Sequence, residues 1–286
     1  MTSAGRTQGV GGRSMTSTSV LVTGAGSGLG AEIAAAAARA GWIVGVLDRD
    51  DATATRTADA LGEFAVALHA DTTDEVAIES ALDRFAQVTG LETPDALVCN
   101  AGIVRFGPLL DHSADDWRAV VDVNLSGTFL TARAFARRLV GAGKRGSIVT
   151  VTSMNGVAPG PNGGAYGATK AGIALLTQQM ALEWGPLGIR ANAVAPGLID
   201  AGMSRPIYAD PDILKQRRER VPLGRLGTAA DVASVVLFLL SDAAGYVNGA
   251  ELLVDGGVTM SVISSLPRPE AVDFVGSGHD NSQSRE

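Results

Sequence analysis

Three residues in the second half of the chain have types and spacing that suit proton transfer. Ser153 follows an apolar run, Tyr166 comes 13 residues later, and Lys170 lies four beyond that. A helix over Ala165–Trp184 places Tyr166 and Lys170 on one face, a turn apart. A free phenol, with a pKa of about 10, is a poor base near neutrality. A nearby ammonium favours the phenolate, and a group whose pKa approaches the working pH carries protons best. A serine hydroxyl within reach holds the oxygen of a carbonyl or alcohol, as an oxyanion donor does. An isolated Tyr-x-x-x-Lys is usually an ordinary helix-surface pair, so the reading depends on its surroundings.

The first surrounding feature is a glycine loop. Thr23-Gly24-Ala25-Gly26-Ser27-Gly28-Leu29-Gly30 follows an apolar run and opens an alanine-rich helical stretch. The spacing is G-x-x-x-G-x-G. Glycines there allow positive φ and close backbone approach, and a helix N-terminus favours a pyrophosphate. Asp48 ends the second apolar run, 18 residues after Gly30. An acid at that point accepts the adenosine ribose hydroxyls and repels a 2′-phosphate, which favours NAD over NADP. Arg49 argues the other way, since an arginine there can hold a 2′-phosphate. Asp71, with Thr72, follows the third run, where Asp71 also suits a cap for a helix starting near Thr73. Asn100-Ala101-Gly102 follows the fourth.

These residues need a frame that gathers the ends of successive runs. Short apolar runs at Ser19–Thr23, Trp42–Leu47, Phe64–Leu68, Ala96–Cys99, Ser147–Thr152, Arg190–Ala195 and Glu251–Val254 read as parallel strands buried on both faces. Helical patterns lie between them, at Leu29–Ala40, Thr73–Val88, Ala114–Val140, Ala165–Trp184 and Ala229–Leu240. This alternation predicts an α/β doubly wound sheet with helices on both faces, which binds ligands at the carboxyl ends of its strands. Right-handed crossovers set the winding. No linker divides the pattern, so one domain is expected over 18–258. Residues 1–17 read as a flexible tail and 259–286 as an extension with a polar end.

Composition narrows the function. A formal charge of −7 and 5% aromatic residues argue against nucleic acid as the partner. One cysteine and three histidines make a metal cluster implausible. No run is apolar enough for a membrane span, and residues 1–17 do not resemble a secretory signal. A cytoplasmic location is expected. Cys99 reads as an inert core residue and His112 as a loop or helix-start residue.

Taken together, Thr23–Gly30, Asp71, Asn100-Ala101-Gly102, Asn124, Ser153, Tyr166-x-x-x-Lys170, Pro196-Gly197 and the late stretch from Arg225-Leu226-Gly227 to Asp255-Gly256-Gly257 resemble a short-chain dehydrogenase/reductase of the Rossmann type. The resemblance spans residues 18–258. It implies a seven-stranded parallel sheet ordered 3-2-1-4-5-6-7 and a homotetramer. It also implies that Tyr166 is the catalytic acid/base and that Lys170 binds the nicotinamide ribose and lowers the tyrosine pKa. By the same resemblance Ser153 orients the substrate, and Asn124 supports a water-linked proton relay through Lys170. One departure follows Pro196-Gly197, where Leu198-Ile199-Asp200-Ala201 offers an alanine in place of the family's frequent threonine. The backbone of Ile199 remains available for the nicotinamide carboxamide.

Arg105–Phe106, Met154–Gly164 (with Pro159) and Leu198–Arg220 are expected to line the substrate pocket, the last as a mobile lid. The small apolar run after Met154 suggests a neutral ketone or secondary alcohol, and NAD leans toward alcohol oxidation. The alternative is a 3-oxoacyl-thioester reductase, with Lys215, Arg217, Arg218 and Arg220, or Arg137, Arg138, Lys144 and Arg145, meeting an acyl carrier or coenzyme A. A more remote alternative is a non-catalytic nucleotide-binding regulator. Val258–Val275 is expected to pack on a neighbouring subunit.

Overall fold

Seven runs of β-branched residues and leucine pair side by side as strands β1 (Ser19–Thr23), β2 (Ile43–Asp48), β3 (Ala65–His69), β4 (Ala96–Cys99), β5 (Gly146–Val151), β6 (Ile189–Pro196) and β7 (Glu251–Val254). The computed structural model describes residues 19–261. The strands form one sheet ordered β3-β2-β1-β4-β5-β6-β7, every pairing parallel. Register is in step around the centre, with Val20 opposite both Val44 and Ala96.

Both faces are covered, which is why the strands are apolar at nearly every position. Val20, Val22, Val44, Val46 and Val98 face α1 (Gly28–Arg39) and α9 (Ala229–Leu240). Leu21, Leu47, Leu68, Leu97 and Ile148 face the opposite layer, built from α3 (Glu75–Thr89), α5 (Gly127–Gly141) and α7 (Tyr166–Trp184), with Phe85 and Phe135 fully buried. The alternation of side chains along each strand sends odd and even residues to different cores. The remaining α-helices are α2 (Asp51–Leu61), α4 (Ala114–Val121), α6 (Met154–Val157) and α8 (Pro211–Arg220).

Four local expectations change. The single helix over 114–140 is α4 and α5 joined by a π-helical turn at Asp122–Ser126, an insertion of the kind often found at functional sites. β5 stops at Val151, so Ser153 lies two residues past the strand and caps α6 by accepting from the Asn155 amide at 3.1 Å. The cap of α3 is Asp74, which accepts from Val76 and Ala77, while Asp71 folds its carboxylate onto Thr73. The expected lid contains the helix α8, started by Asp210. The expectations for 1–17 and for most of 259–286 fall outside the described residues. Val258–Met260 forms a short 3-10 turn.

Candidate active site

The glycine loop sits where β1 gives way to α1, and the chain there has little freedom to be anything else. Gly24 has φ +63, and a Cβ on it would lie 2.9 Å from the Ala101 backbone. Gly28 has φ +57 and would meet Gly202 at the same distance. Gly30 is buried inside α1, where a Cβ would collide with the Gly24 carbonyl and the Asn100 amide. Ser27 stands at the N-cap of α1 yet its side chain caps no amide. The unmated N–H groups of that turn therefore face an open cleft with the positive end of the helix dipole.

Thr23 stitches this loop to the neighbouring strand. Its hydroxyl accepts from the Asn100 and Ala101 amides, both at 3.0 Å. The Asn100 side chain donates in return to the Thr23 and Gly24 carbonyls at 3.0 and 3.2 Å. Sequence reasoning placed Asn100 beside the ligand; its side-chain amide works for the loop.

Asp48 is likewise built in. Its carboxylate accepts from the Gly26 amide at 2.9 Å and the Asp50 amide at 3.1 Å, which holds a negative charge at the end of β2. Asp48, Arg49, Asp71, Thr72, Ala101 and Gly102 line one recess beside the loop. The Asp71 carboxyl is held below its ordinary range, chiefly by the Thr73 amide, with Arg49 adding to the effect.

The second and larger recess is a cleft of about 590 Å³. Its walls include Ser27, Gly28 and Leu29 at one end and Ser153, Met154, Tyr166 and Lys170 in the middle. Pro196, Gly197, Leu198, Ile199 and Ala201 line it beyond the end of β6. Pro159 is not in this wall, while Asn155, Pro161 and Gly163 are. Met203, Ile207, Tyr208 and Arg217 come from the segment expected as the lid; of these only Arg217 was named from the sequence, as a residue to meet an acyl carrier or coenzyme A. Leu198 and Asp200 close a backbone bridge with Gly227, in which the amide and carbonyl of Ile199 itself take no part.

The Ser153 hydroxyl lies near the Tyr166 phenol, and its proximity lowers a pKa that burial raises. The Lys170 ammonium lies over the face of the Tyr166 ring, 5.5 Å from its centre, and donates to the Val151 carbonyl at 2.7 Å. It is directed beneath the ring rather than beside the hydroxyl. In the ligand-free site the nearby Ser153 hydroxyl favours the phenolate against burial. Burial also moves Lys170 itself, from 10.5 down to about 8. Cys99, buried below, is pushed up to about 12, as an inert core thiol should be.

Asn124 lies outside the cleft wall and is wholly buried in the π-helical turn. Its side chain accepts from the Ile103 amide at 2.8 Å and donates to the Ile103 carbonyl and the Thr169 hydroxyl. That pins the segment after β4 to α7 one residue before Lys170. His112 packs its ring against Gly164, two residues before Tyr166, with Nε2 buried and unpaired.

Comparison with known proteins agrees with this arrangement. A family model described as Enoyl-(Acyl carrier protein) reductase matches residues 24–259. The chain is 39% identical over 247 residues to 2-(S)-hydroxypropyl-CoM dehydrogenase 3 of Xanthobacter autotrophicus, covering 84% of this chain and 96% of that protein. A short-chain type dehydrogenase/reductase from Mycobacterium marinum superposes with a TM-score of 0.79 at 34% identity, over 85% of this chain and 95% of the other. The chain belongs to the short-chain dehydrogenase/reductase family. Two further solved members show the family's range. A gluconate 5-dehydrogenase from Burkholderia cenocepacia, in complex with NADP and tartrate, gives a TM-score of 0.80 at 34% identity over 85% and 96% of the two chains. A 3-ketoacyl-(acyl-carrier-protein) reductase from Brucella melitensis, complexed with NADH, gives 0.78 at 31% over 85% and 98%. As a member of this family the chain is an NAD(P)-dependent oxidoreductase that interconverts CH–OH and C=O groups. Among the described residues no helix is long and apolar enough to cross a membrane, and no cluster of His, Cys, Asp or Glu could hold a metal.

Proposed function

We propose that the chain is an NAD-dependent dehydrogenase of secondary alcohols, or reductase of the matching ketones, acting within a domain over residues 18–258. The observation that carries this is the convergence of the Ser153 and Tyr166 hydroxyls on one cleft that also meets the bare N-terminus of α1. When bound, the nicotinamide accepts or delivers the hydride. The glycine loop residues Gly24, Ser27, Gly28, Leu29 and Gly30 would hold its pyrophosphate, and Asp48 the adenosine ribose, with Asp71, Thr72 and Ala101–Gly102 around the adenine. Pro196, Gly197 and Ile199 would face the carboxamide. These residues fit the group: a Cβ at Gly24 or Gly28 would fill the cradle.

The chain supplies position and the proton. Ser153 hydrogen-bonds the substrate oxygen. The Tyr166 hydroxyl donates its proton to that oxygen in reduction and takes it back in oxidation. Lys170 fixes the ring from below and offers its ammonium to the ribose. Asn124 anchors the turn that carries the relay toward solvent. Met154 and Leu198 bound the substrate. NAD is favoured because Asp48 presents a fixed carboxylate where a 2′-phosphate would have to sit. We also take the enzyme to be a cytoplasmic homotetramer; exposed Phe129 on α5 and Leu175 and Leu182 on α7 are suited to subunit contact.

The test is nicotinamide reduction with a panel of secondary alcohols and a 3-hydroxyacyl thioester, with NAD and NADP in parallel and Tyr166→Phe as the blank. Turnover of simple alcohols with NAD, lost in the variant, is the expected result. Turnover confined to the thioester or to NADP would replace this reading with the carrier-linked reductase.

A further inference from the structure

The cleft wall carries charge at two points among the described residues. One is Lys170, committed to the Val151 carbonyl at the reacting end. The other is Arg217, which reaches in from α8 on the lid. Its guanidinium stands 5.7 Å from the centre of the Tyr208 ring, and it and Ser204 lie near enough to the Tyr208 hydroxyl to lower a pKa that burial raises. Tyr208 is buried, so this corner is a built part of the wall.

Several arginines that serve the fold of this chain pair with acids, while Arg190 donates to the Leu239, Val247 and Ser241 carbonyls. Arg138 joins Glu79 and Asp83, Arg225 takes Asp231 with two donors, and Arg133 meets Glu75. Arg217 makes no such ion pair among the described residues. The acid sensed at Tyr208 is Asp200, which is exposed. A guanidinium cannot shed its charge and presents a planar fork of donors matched to a carboxylate. Here the fork lies over the Tyr208 ring, and Met154, Met203 and Ile207 add apolar surface to the same cleft wall.

We propose that the substrate carries an anionic group, a carboxylate or sulfonate, which docks on Arg217 beside the Tyr208 and Ser204 hydroxyls. Its hydroxyl-bearing carbon then lies at Ser153 and Tyr166, with an apolar stretch between. This replaces the wholly neutral substrate expected from the sequence. It rests on the assignment of the cleft to a nicotinamide enzyme and deepens it.

The experiment titrates the enzyme–NADH complex, followed by NADH fluorescence, with butanoate, pentanoate and hexanoate and with the corresponding amides. Binding needs no turnover. Wild type should bind at least one carboxylate roughly tenfold to a hundredfold more tightly than its amide, as a charge-assisted contact provides. Arg217→Leu should erase that preference, and Arg217→Lys should keep part of it; melting temperatures would confirm that both variants fold. Equal affinity for acids and amides in wild type would overturn the proposal. So would a preference that survives Arg217→Leu. Loss of NADH affinity in Arg217→Leu with the preference intact would assign the guanidinium to cofactor phosphate instead. Failure of wild type to bind either NADH or NADPH, seen before any ligand is added, would refute the nicotinamide reading itself, and the anion site with it.

Discussion

Replacing Lys170 with methionine should remove a specific part of the pH dependence of stability. Burial lowers this lysine from 10.5 to about 8, and an unfolded chain restores the ordinary value. Below pH 8 both states bind the proton, and the fold bears the full penalty of a desolvated ammonium, about 3 kcal/mol at ~1.36 kcal/mol per pKa unit. Between pH 8 and 10.5 the folded lysine has released its proton while the unfolded one still holds it. The unfolded state then binds more protons, so stability rises with pH across that window. From pH 7 to pH 9.5 the gain is about 2 kcal/mol. The cofactor-free wild type and Lys170→Met would be unfolded thermally at both pH values. Other ionisations are common to both proteins and cancel in the comparison. Wild type should gain roughly 5 °C relative to the variant between the two conditions. Identical pH dependence in the two proteins would refute the reasoning. It would mean that Lys170 keeps its ordinary pKa in the fold, through water or motion that the buried geometry does not allow.

Asn124→Ala should destabilise the protein by about 2 kcal/mol in urea, because it leaves the half-buried amide and carbonyl of Ile103 without their side-chain partner. Gly30→Ala should weaken NADH binding at least ~10-fold by fluorescence, since the new methyl would push the Gly24 carbonyl and the Asn100 amide out of place. Burial holds Tyr166 above its ordinary pKa, so its protonated form dominates at neutral pH in the ligand-free site. The kcat/KM for alcohol oxidation should therefore climb as pH rises from 6 to 9, while that for ketone reduction stays level or falls. Parallel profiles in the two directions would deny Tyr166 the proton.

What the sequence made legible was whatever a local signal announces. The strands were visible because a sheet covered on both faces needs apolar residues at consecutive positions, and Gly24, Gly28 and Gly30 because only glycine tolerates those approaches. The π-helical turn was hidden. Val120, Val121, Val123 and Leu125 continue an apolar pattern with no glycine or proline to mark the extra residue, so one long helix was the natural reading. α6 has four residues, too few for a helical period to show. Six of the ten residues of α8 are charged and it has no apolar stripe, and its one advertisement was Asp210-Pro211, a cap followed by a residue suited to the first turn. The role of the Thr23 hydroxyl had no signal at all, because it depends on which strand lies beside β1.

The electrostatics of the site belong to that second, packed level. Spacing puts a lysine one turn from a tyrosine, and from spacing alone the ammonium stands beside the phenol. Packing aims the ammonium at the Val151 carbonyl, under the ring, at the end of a strand that the sequence reading had extended by one residue. The same burial that raises Tyr166 lowers Lys170 and raises Cys99, so each group is driven toward its neutral form. The one polar contact that acts against this at the phenol comes from Ser153, which is free to turn toward it because the strand has already ended. The protonated tyrosine is therefore the resting state that this chain builds by itself. The ligand-free protein is poised as an acid, and a positive charge that arrives with what binds in the cleft shifts the balance toward the phenolate.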